Sequence, residues 1–384
     1  MGLGPAATFV AIRVAFWLGA AAALIWAPAP ERRLIGDAYG PVSDFLFRSL
    51  SQWDARWFLQ IAMHGYEEVP QAAAFFPVYP AVVHGVAWLT GSLLVAGVLV
   101  SLVSGAVAAW VLAQIARPLL GERGAHDVVL YLALYPVAFV LTSLYSEGLF
   151  LALAAGSFLA AMRGRPVLAG VLGGFATGTR LIGLALLPAL AILLWRGRDG
   201  PSLARLAPLL LLPAAVGLYA LYLDHAIGDP WAFTSAQADW SRETSRLGPI
   251  EGLKDAALSA GRGARNLLDM PTAGPGNAER VGLWNLSHLA LLGVAFWLTW
   301  VAWTRLGAAF GAYSAATLAI VLSAPAEGFP LVGLPRFLLV DFPLFLALAS
   351  LTLDRPRRRD AVLVVFAGLG AVAVAAFARG VWIA

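Results

Sequence analysis

Long apolar runs recur from one end of the chain to the other, and short polar stretches punctuate them. A helix needs about 20 mostly apolar residues to cross a bilayer. Runs of that character occupy residues 5–27, 92–117, 126–142, 145–162, 203–223, 281–303, 308–323, 335–353 and 361–383. Residues 166–178 and 181–195 form a shorter pair, interrupted at Thr177-Gly178-Thr179-Arg180. Residues 78–89 are apolar but too short to span, which predicts a re-entrant or partly inserted helix. The pattern predicts an all-α polytopic membrane protein of about eleven crossings, one domain over residues 1–384. There is no internal repeat of the kind that transporters carry.

The first run invites a second reading, because Ala27-Pro28-Ala29 resembles a signal-peptidase site. However, no charged side chain precedes the run and Arg13 interrupts it. It is also longer than an h-region of about 7–15 residues, so a retained span is expected.

Two polar loops stand out, 28–77 and 224–280. In the first, Phe45, Leu46, Leu50, Trp53, Trp57, Phe58, Ile61 and Ala62 recur at helical spacing. That predicts amphipathic helices lying in the membrane interface, with tryptophans at headgroup level.

Composition agrees with the pattern. Hydrophobic residues make up 60% and charged residues 12%, against about 45–50% and roughly 25% in soluble domains. The mean hydropathy is +0.78. The net charge of +4 does not imply nucleic acid, because the arginines are spread over loops between apolar runs, where they set topology. With no cysteine, disulfides, thiolate metal sites and cysteine nucleophiles are excluded. Lys254 is the only lysine, and alanine and glycine abound, a composition that points to a high-GC bacterial genome and its cytoplasmic membrane.

Arginine distribution then assigns sides. With the amino terminus inside, Arg117 and Arg123, Arg163 and Arg165, Arg196, Arg198 and Arg205, Arg305 and the Arg355–Arg359 cluster all fall in cytoplasmic loops. The same arrangement puts loop 28–77, Tyr145-Ser146-Glu147, Arg180, loop 224–280 and Pro335-Arg336-Phe337 together on the extracytoplasmic side.

That surface holds the candidate chemistry. Asp54, between Trp53 and Trp57, is an interfacial carboxylate suited to general-base work; it also stands where a helix N-cap would. Arg180 and Arg336 lie at or near bilayer depth, where ionisable residues default to functional candidates and arginine can grip a phosphate. Snorkelling to the headgroups is the structural alternative for Arg180. Glu147 begins a span, where the helix dipole favours an acid, and Asp341 suits structural pairing, for instance with an arginine. No histidine pair, His64 and His225 included, has zinc-like spacing, so neither a metal nor a cofactor is expected. Glycosyl transfer from a lipid phosphate fits this set. One carboxylate deprotonates the acceptor hydroxyl, and cationic donors stabilise the departing phosphate, unlike the two carboxylates of glycoside hydrolysis.

The motifs resemble a known family. Trp-Asp-x3-Phe-x2-Ile-Ala-x2-Gly-Tyr-Glu (53–67) and Ala-Phe-Phe-Pro-Val-Tyr-Pro (74–80) are similar to the PIG-V mannosyltransferases, the GPI mannosyltransferase 2 family and its bacterial homologues. The segments 135–150, 176–183, 228–242 and 334–337 continue the resemblance in order. It implies a GT-C glycosyltransferase bundle, with polyprenyl-phosphate-mannose as donor and inversion at the transferred sugar. Asp54 would be the catalytic residue, with Arg180 and Arg336 near the donor phosphate. Trp53, Trp57, His64, Tyr66, Glu67, Tyr145, Glu147, Gln237 and Trp240 would line the substrate site. The acceptor, a glycolipid or another membrane molecule, does not carry over, since bacteria are not expected to make GPI anchors. A GT-C transferase using another lipid-linked sugar is the nearest alternative. A transporter would instead place acids and amides inside several spans.

Overall fold

The computed structural model describes residues 3–26, 46–47, 49–197, 200–242, 245, 247–269 and 276–383. Expectations for residues 27–45, Phe45 among them, fall outside these. The first run forms α1 (Pro5–Trp26). In the first polar loop, α2 (Ala55–His64) buries Ala55, Phe58, Leu59, Ile61 and Ala62, the spacing of one helix face. The short apolar run becomes α3 (Val78–Thr90), stopped by left-handed Gly91.

The next expected spans need correction. Residues 92–117 and 126–142 belong to one long element, α4 (Leu93–Leu134), kinked where Gly121 adopts φ 72°. It stops eight residues short of the expected end. Tyr135 precedes Pro136, whose ring pushes the residue before it out of the helical region, here to φ −52° and ψ 137°. Residues 135–146 then turn through the buried 3-10 segment Ala138–Leu141 before α5 (Glu147–Met162).

The interrupted pair forms as expected. Helix α6 (Pro166–Thr179) gives way to an extended Arg180, followed by a 3-10 turn (Leu181–Ala185) and α7 (Leu186–Trp195). The helix α8 (Leu211–Ile227) completes an apolar stretch beginning at Leu203. The second polar loop holds a helix that the apolar pattern did not reveal, α9 (Pro249–Leu268). Next come α10 (Asn277–Val301) and α11 (Ala308–Leu322).

The run 335–353 is not one straight span. It divides into α12 (Leu334–Val340) and α13 (Phe342–Thr352), bent by 75° at Asp341. Pro343 cannot donate to the carbonyl of Leu339 and its ring would strike it, so one helix cannot run through. The last helix is α14 (Pro356–Ala378). Among the described residues, five helices are long and apolar enough to cross a membrane, or six with the bent pair, and five further apolar helices have 10–17 residues. Length and composition therefore do not establish about eleven crossings.

Packing around α4 positions the site. Helices α1, α3 and α5 lie against it. A Cβ on Gly148 would sit 2.7 Å from the Ser101 carbonyl oxygen, so only glycine lets α5 start that close to α4. Ser101 Oγ donates to the Tyr145 carbonyl at 3.1 Å and lies 2.8 Å from the Tyr79 hydroxyl, fixing the Tyr145–Glu147 corner to α3 and α4. Further along α4, by about 24 Å at 1.5 Å per residue, Arg117 pairs with Glu122. Beyond the kink, Arg359 of α14 pairs with the buried Asp127 at 2.7 Å.

Helices α9 and α10 meet at glycines: a Cβ on Gly263 would lie 2.6 Å from the Gly282 backbone, whereas one on Gly293 would touch nothing. Gly263→Val should lower stability by about 1–3 kcal/mol through overpacking, and Gly293→Ala should leave it unchanged or slightly raised. Thermal unfolding of the two variants in detergent checks this.

Candidate active site

The site assembles at places where helices start or break. Trp53 adopts φ 57°, a left-handed conformation uncommon for a bulky residue, and turns the chain into α2. The Tyr145 hydroxyl holds that turn from below, donating to the Gln52 carbonyl at 3.1 Å and accepting from the Asp54 amide at 3.3 Å. Asp54 occupies the N-cap position, yet its side chain caps nothing. Its Oδ2 instead accepts from Arg336 Nη1 at 2.6 Å.

Arg336 stands in the first turn of α12 and turns all three nitrogens to carboxylates. Beyond Asp54, its Nε and Nη2 meet Glu147 Oε1 at 2.8 and 2.6 Å. Its guanidinium lies 4.8 Å from the centre of the Tyr145 ring. Glu147 Oε1 also accepts from Arg180 Nη1 at 2.8 Å, and the same nitrogen donates to Ser146 Oγ at 3.1 Å. Arg180 reaches there because its extended backbone ends α6. Glu147 is wholly enclosed, whereas the side chains of Asp54 and Arg336 are 16% and 12% exposed. The Arg180 side chain is 17% exposed, so the network is open at Asp54 and Arg180 and closed at Glu147.

The tertiary structure thus joins five residues singled out in the sequence: Asp54, Tyr145, Glu147, Arg180 and Arg336. Others stand apart from this network. Tyr66 is buried and donates to the Phe75 carbonyl at 2.7 Å; burial and the neighbouring tyrosines hold its pKa well above the usual value. Trp57 stacks on Phe75, and the Arg56 guanidinium lies 4.6 Å from the centre of the Trp57 ring. His64 and Glu67 are exposed, and His64 lies 3.9 Å from Glu68. The Gln237 carbonyl accepts from the Arg242 amide at 3.1 Å, and Trp240 ends the same 3-10 turn, its side chain outside the described residues. Asp341 does not pair with an arginine: Ser314 Oγ donates to it at 2.6 Å, because the bend turns it toward α11. Among the described residues no cluster of three histidines or acids could hold a metal.

One residue at the site went unselected in the sequence. Arg242 ends the 228–242 segment, and its guanidinium lies 5.6 Å from the centre of the Phe337 ring; Arg180 lies 5.7 Å from that same ring. Arg242 is one of several arginines in the polar loop 224–280, and its place there gives no local sign of this proximity.

Glu147→Gln would leave two nearly buried guanidiniums short of one carboxylate. It should destabilise the protein by about 3–5 kcal/mol, the usual cost of breaking a buried ion pair from one side. The better-solvated Asp54→Asn should cost much less. Detergent-phase thermal or urea unfolding of both variants measures the difference.

Residues 39–197 match the sequence model of the mannosyltransferase (PIG-V) family. That stretch contains Asp54, Tyr145, Glu147 and Arg180; Arg242 and Arg336 lie beyond it. No curated protein matches the chain. Among solved structures it is similar to ArnT from Cupriavidus metallidurans bound to undecaprenyl phosphate, with a TM-score of 0.53 and 17% identity, covering 95% of this chain and 63% of that one. The apo state of ArnT matches at a TM-score of 0.52 and 18% identity, over 93% of this chain and 61% of that one. The chain thus spans less than two thirds of the length of the ArnT structures it matches. Residues 39–197 thus resemble the PIG-V mannosyltransferase family, and the helices adopt a fold similar to that of the ArnT structures.

Proposed function

We propose that this membrane glycosyltransferase moves mannose from polyprenyl-phosphate-mannose to a hydroxyl of a glycolipid or other membrane acceptor, with inversion. The observation that carries the reading is the carboxylate Asp54 at the open edge of a buried guanidinium network. Asp54 takes the acceptor proton as that oxygen bonds to the anomeric carbon. The bond from that carbon to the phosphate oxygen breaks, and polyprenyl phosphate leaves as an anion. The guanidiniums of Arg180 and Arg336 supply positive charge where the leaving group gains negative charge. Glu147 positions both.

Arg336 holds Asp54 in an ion pair at 2.6 Å. An arriving phosphate competes for Arg336 and frees Asp54 for its proton, which orders donor binding before transfer. Phosphate as leaving group needs no acid and, with guanidiniums present, no metal; transfer should survive excess chelator. Support for the lipid comes from ArnT, similar in fold, whose crystal structure holds undecaprenyl phosphate. The arginine-rich loops near Arg117 and Arg359 support an extracytoplasmic site on the bacterial cytoplasmic membrane. Trp53, Trp57, His64, Glu67, Gln237 and Trp240 are the residues we assign to sugar and lipid contact.

The test is transfer of labelled mannose from polyprenyl-phosphate-mannose into a bacterial lipid extract by purified protein. Asp54→Asn should lose about 10²–10⁴-fold in rate, the usual worth of a general base, while unfolding at the wild-type temperature. Equal transfer by both would remove Asp54 as base. Transfer of glucose but not mannose from the matching donors would favour the other-sugar reading.

A further inference from the structure

We infer that Arg242 joins Arg180 and Arg336 in gripping the phosphate of the lipid-linked donor, and that it does so two-pronged, as a residue free of any carboxylate in the resting site. This rests on the polyprenyl-phosphate reading given above.

The charges at the site do not cancel. Asp54 and Glu147 face three arginines, Arg180, Arg242 and Arg336, and both are already paired, with Arg180 and Arg336. Arg336 has each nitrogen on a carboxylate, and Arg180 is held by Glu147 and Ser146. Arg242 pairs with no carboxylate among the described residues. Its one side-chain hydrogen bond there runs from Nη2 to the Val332 carbonyl at 2.6 Å. A guanidinium can present two parallel donors to a phosphate; Arg180, bonded only through Nη1, and Arg242 both keep nitrogens for one, and of the two only Arg242 is paired with no carboxylate among the described residues.

The backbone holds that cation in place. Ser241 takes a left-handed conformation at φ 55°, and the Arg242 amide donates back to Gln237. Ser241, Arg242 and Ser245 then pair with residues 323–327 through the Arg242–Ala326 bridge, the Glu327 amide on the Ser241 carbonyl and the Ser245 amide on the Ser323 carbonyl. Phe337, one residue past Arg336, carries both Arg180 and Arg242 near its ring. Burial, and after it the neighbouring Arg336 and Arg180, push the Arg242 pKa down to about 10, with the Asp54 carboxylate opposing. An anion between the arginines relieves that repulsion.

The experiment measures binding of undecaprenyl phosphate, undecaprenol and inorganic phosphate to the full chain in detergent. Wild type should prefer undecaprenyl phosphate over undecaprenol by roughly ten- to a hundredfold, the worth of charge-assisted hydrogen bonds. Arg242→Gln should abolish most of that preference and bind undecaprenol as wild type does, while Arg262→Gln on α9 keeps it. An intact preference in Arg242→Gln overturns the assignment and leaves the donor reading standing. No preference in wild type overturns the donor reading itself. Arg242-dependent binding of inorganic phosphate that equals the lipid's would overturn the lipid as the phosphate's source. Should Arg242→Gln not fold, Arg242→Lys decides, since it keeps the charge and loses the fork: a reduced preference supports the assignment, and an unchanged one overturns it.

Discussion

Charged side chains inside an apolar helix bundle persist only if they neutralise one another at hydrogen-bond distance. Taking a carboxylate or guanidinium out of water costs several kcal/mol per ion even after relaxation. Glu147 meets that constraint here, with one oxygen shared by Arg180 and Arg336. The pairing couples α5, the α6 break and α12, and Asp54 joins it from the start of α2. Every later feature of the site depends on these elements staying within reach of one carboxylate.

Backbone interruptions supply the reach. A residue inside a regular helix projects onto the adjacent helix and has its backbone satisfied, whereas one at a break can point along the bundle into an open end. Arg180 is extended between two helical segments, Trp53 is left-handed just before Asp54, and left-handed Gly333 turns the chain into α12. Ser101, Tyr79 and the close seat of Gly148 then fix the Tyr145–Glu147 corner, so the network rests on packed helices rather than on loops.

The gradient of solvation across the site matters for its chemistry. Glu147 is sealed, while Asp54 meets the exterior. On the proposed reading, the sealed carboxylate positions cations and the open one exchanges a proton with an arriving hydroxyl, so that similar residue types would serve different ends because their surroundings differ. The PIG-V match ends at residue 197, and Arg336 enters the site from well beyond it.

Much of this was legible in the sequence, for identifiable reasons. Helix periodicity and apolar length are local, so α1, α2, α3, α10, α11 and α14 followed from the residues, and so did the break before Arg180. The motifs carried Asp54, Tyr145, Glu147, Arg180 and Arg336 into one candidate set. Local pattern failed where apolar content hid a backbone event: the Gly121 kink, the stop before Pro136 and the bend at Asp341 all lie in runs hydrophobic enough to read as continuous. It also missed α9, whose polar face and glycines resemble loop composition. Pairing was beyond it altogether. That Asp54 meets Arg336 rather than capping α2, that Asp341 meets Ser314, and that Arg242 shares the Phe337 ring with Arg180 are contacts between residues far apart in the chain. The sequence by itself determined which segments are helical and which polar residues could do chemistry, because those depend on neighbours along the chain. Only the tertiary structure decided which charges face which, because that depends on how the helices pack.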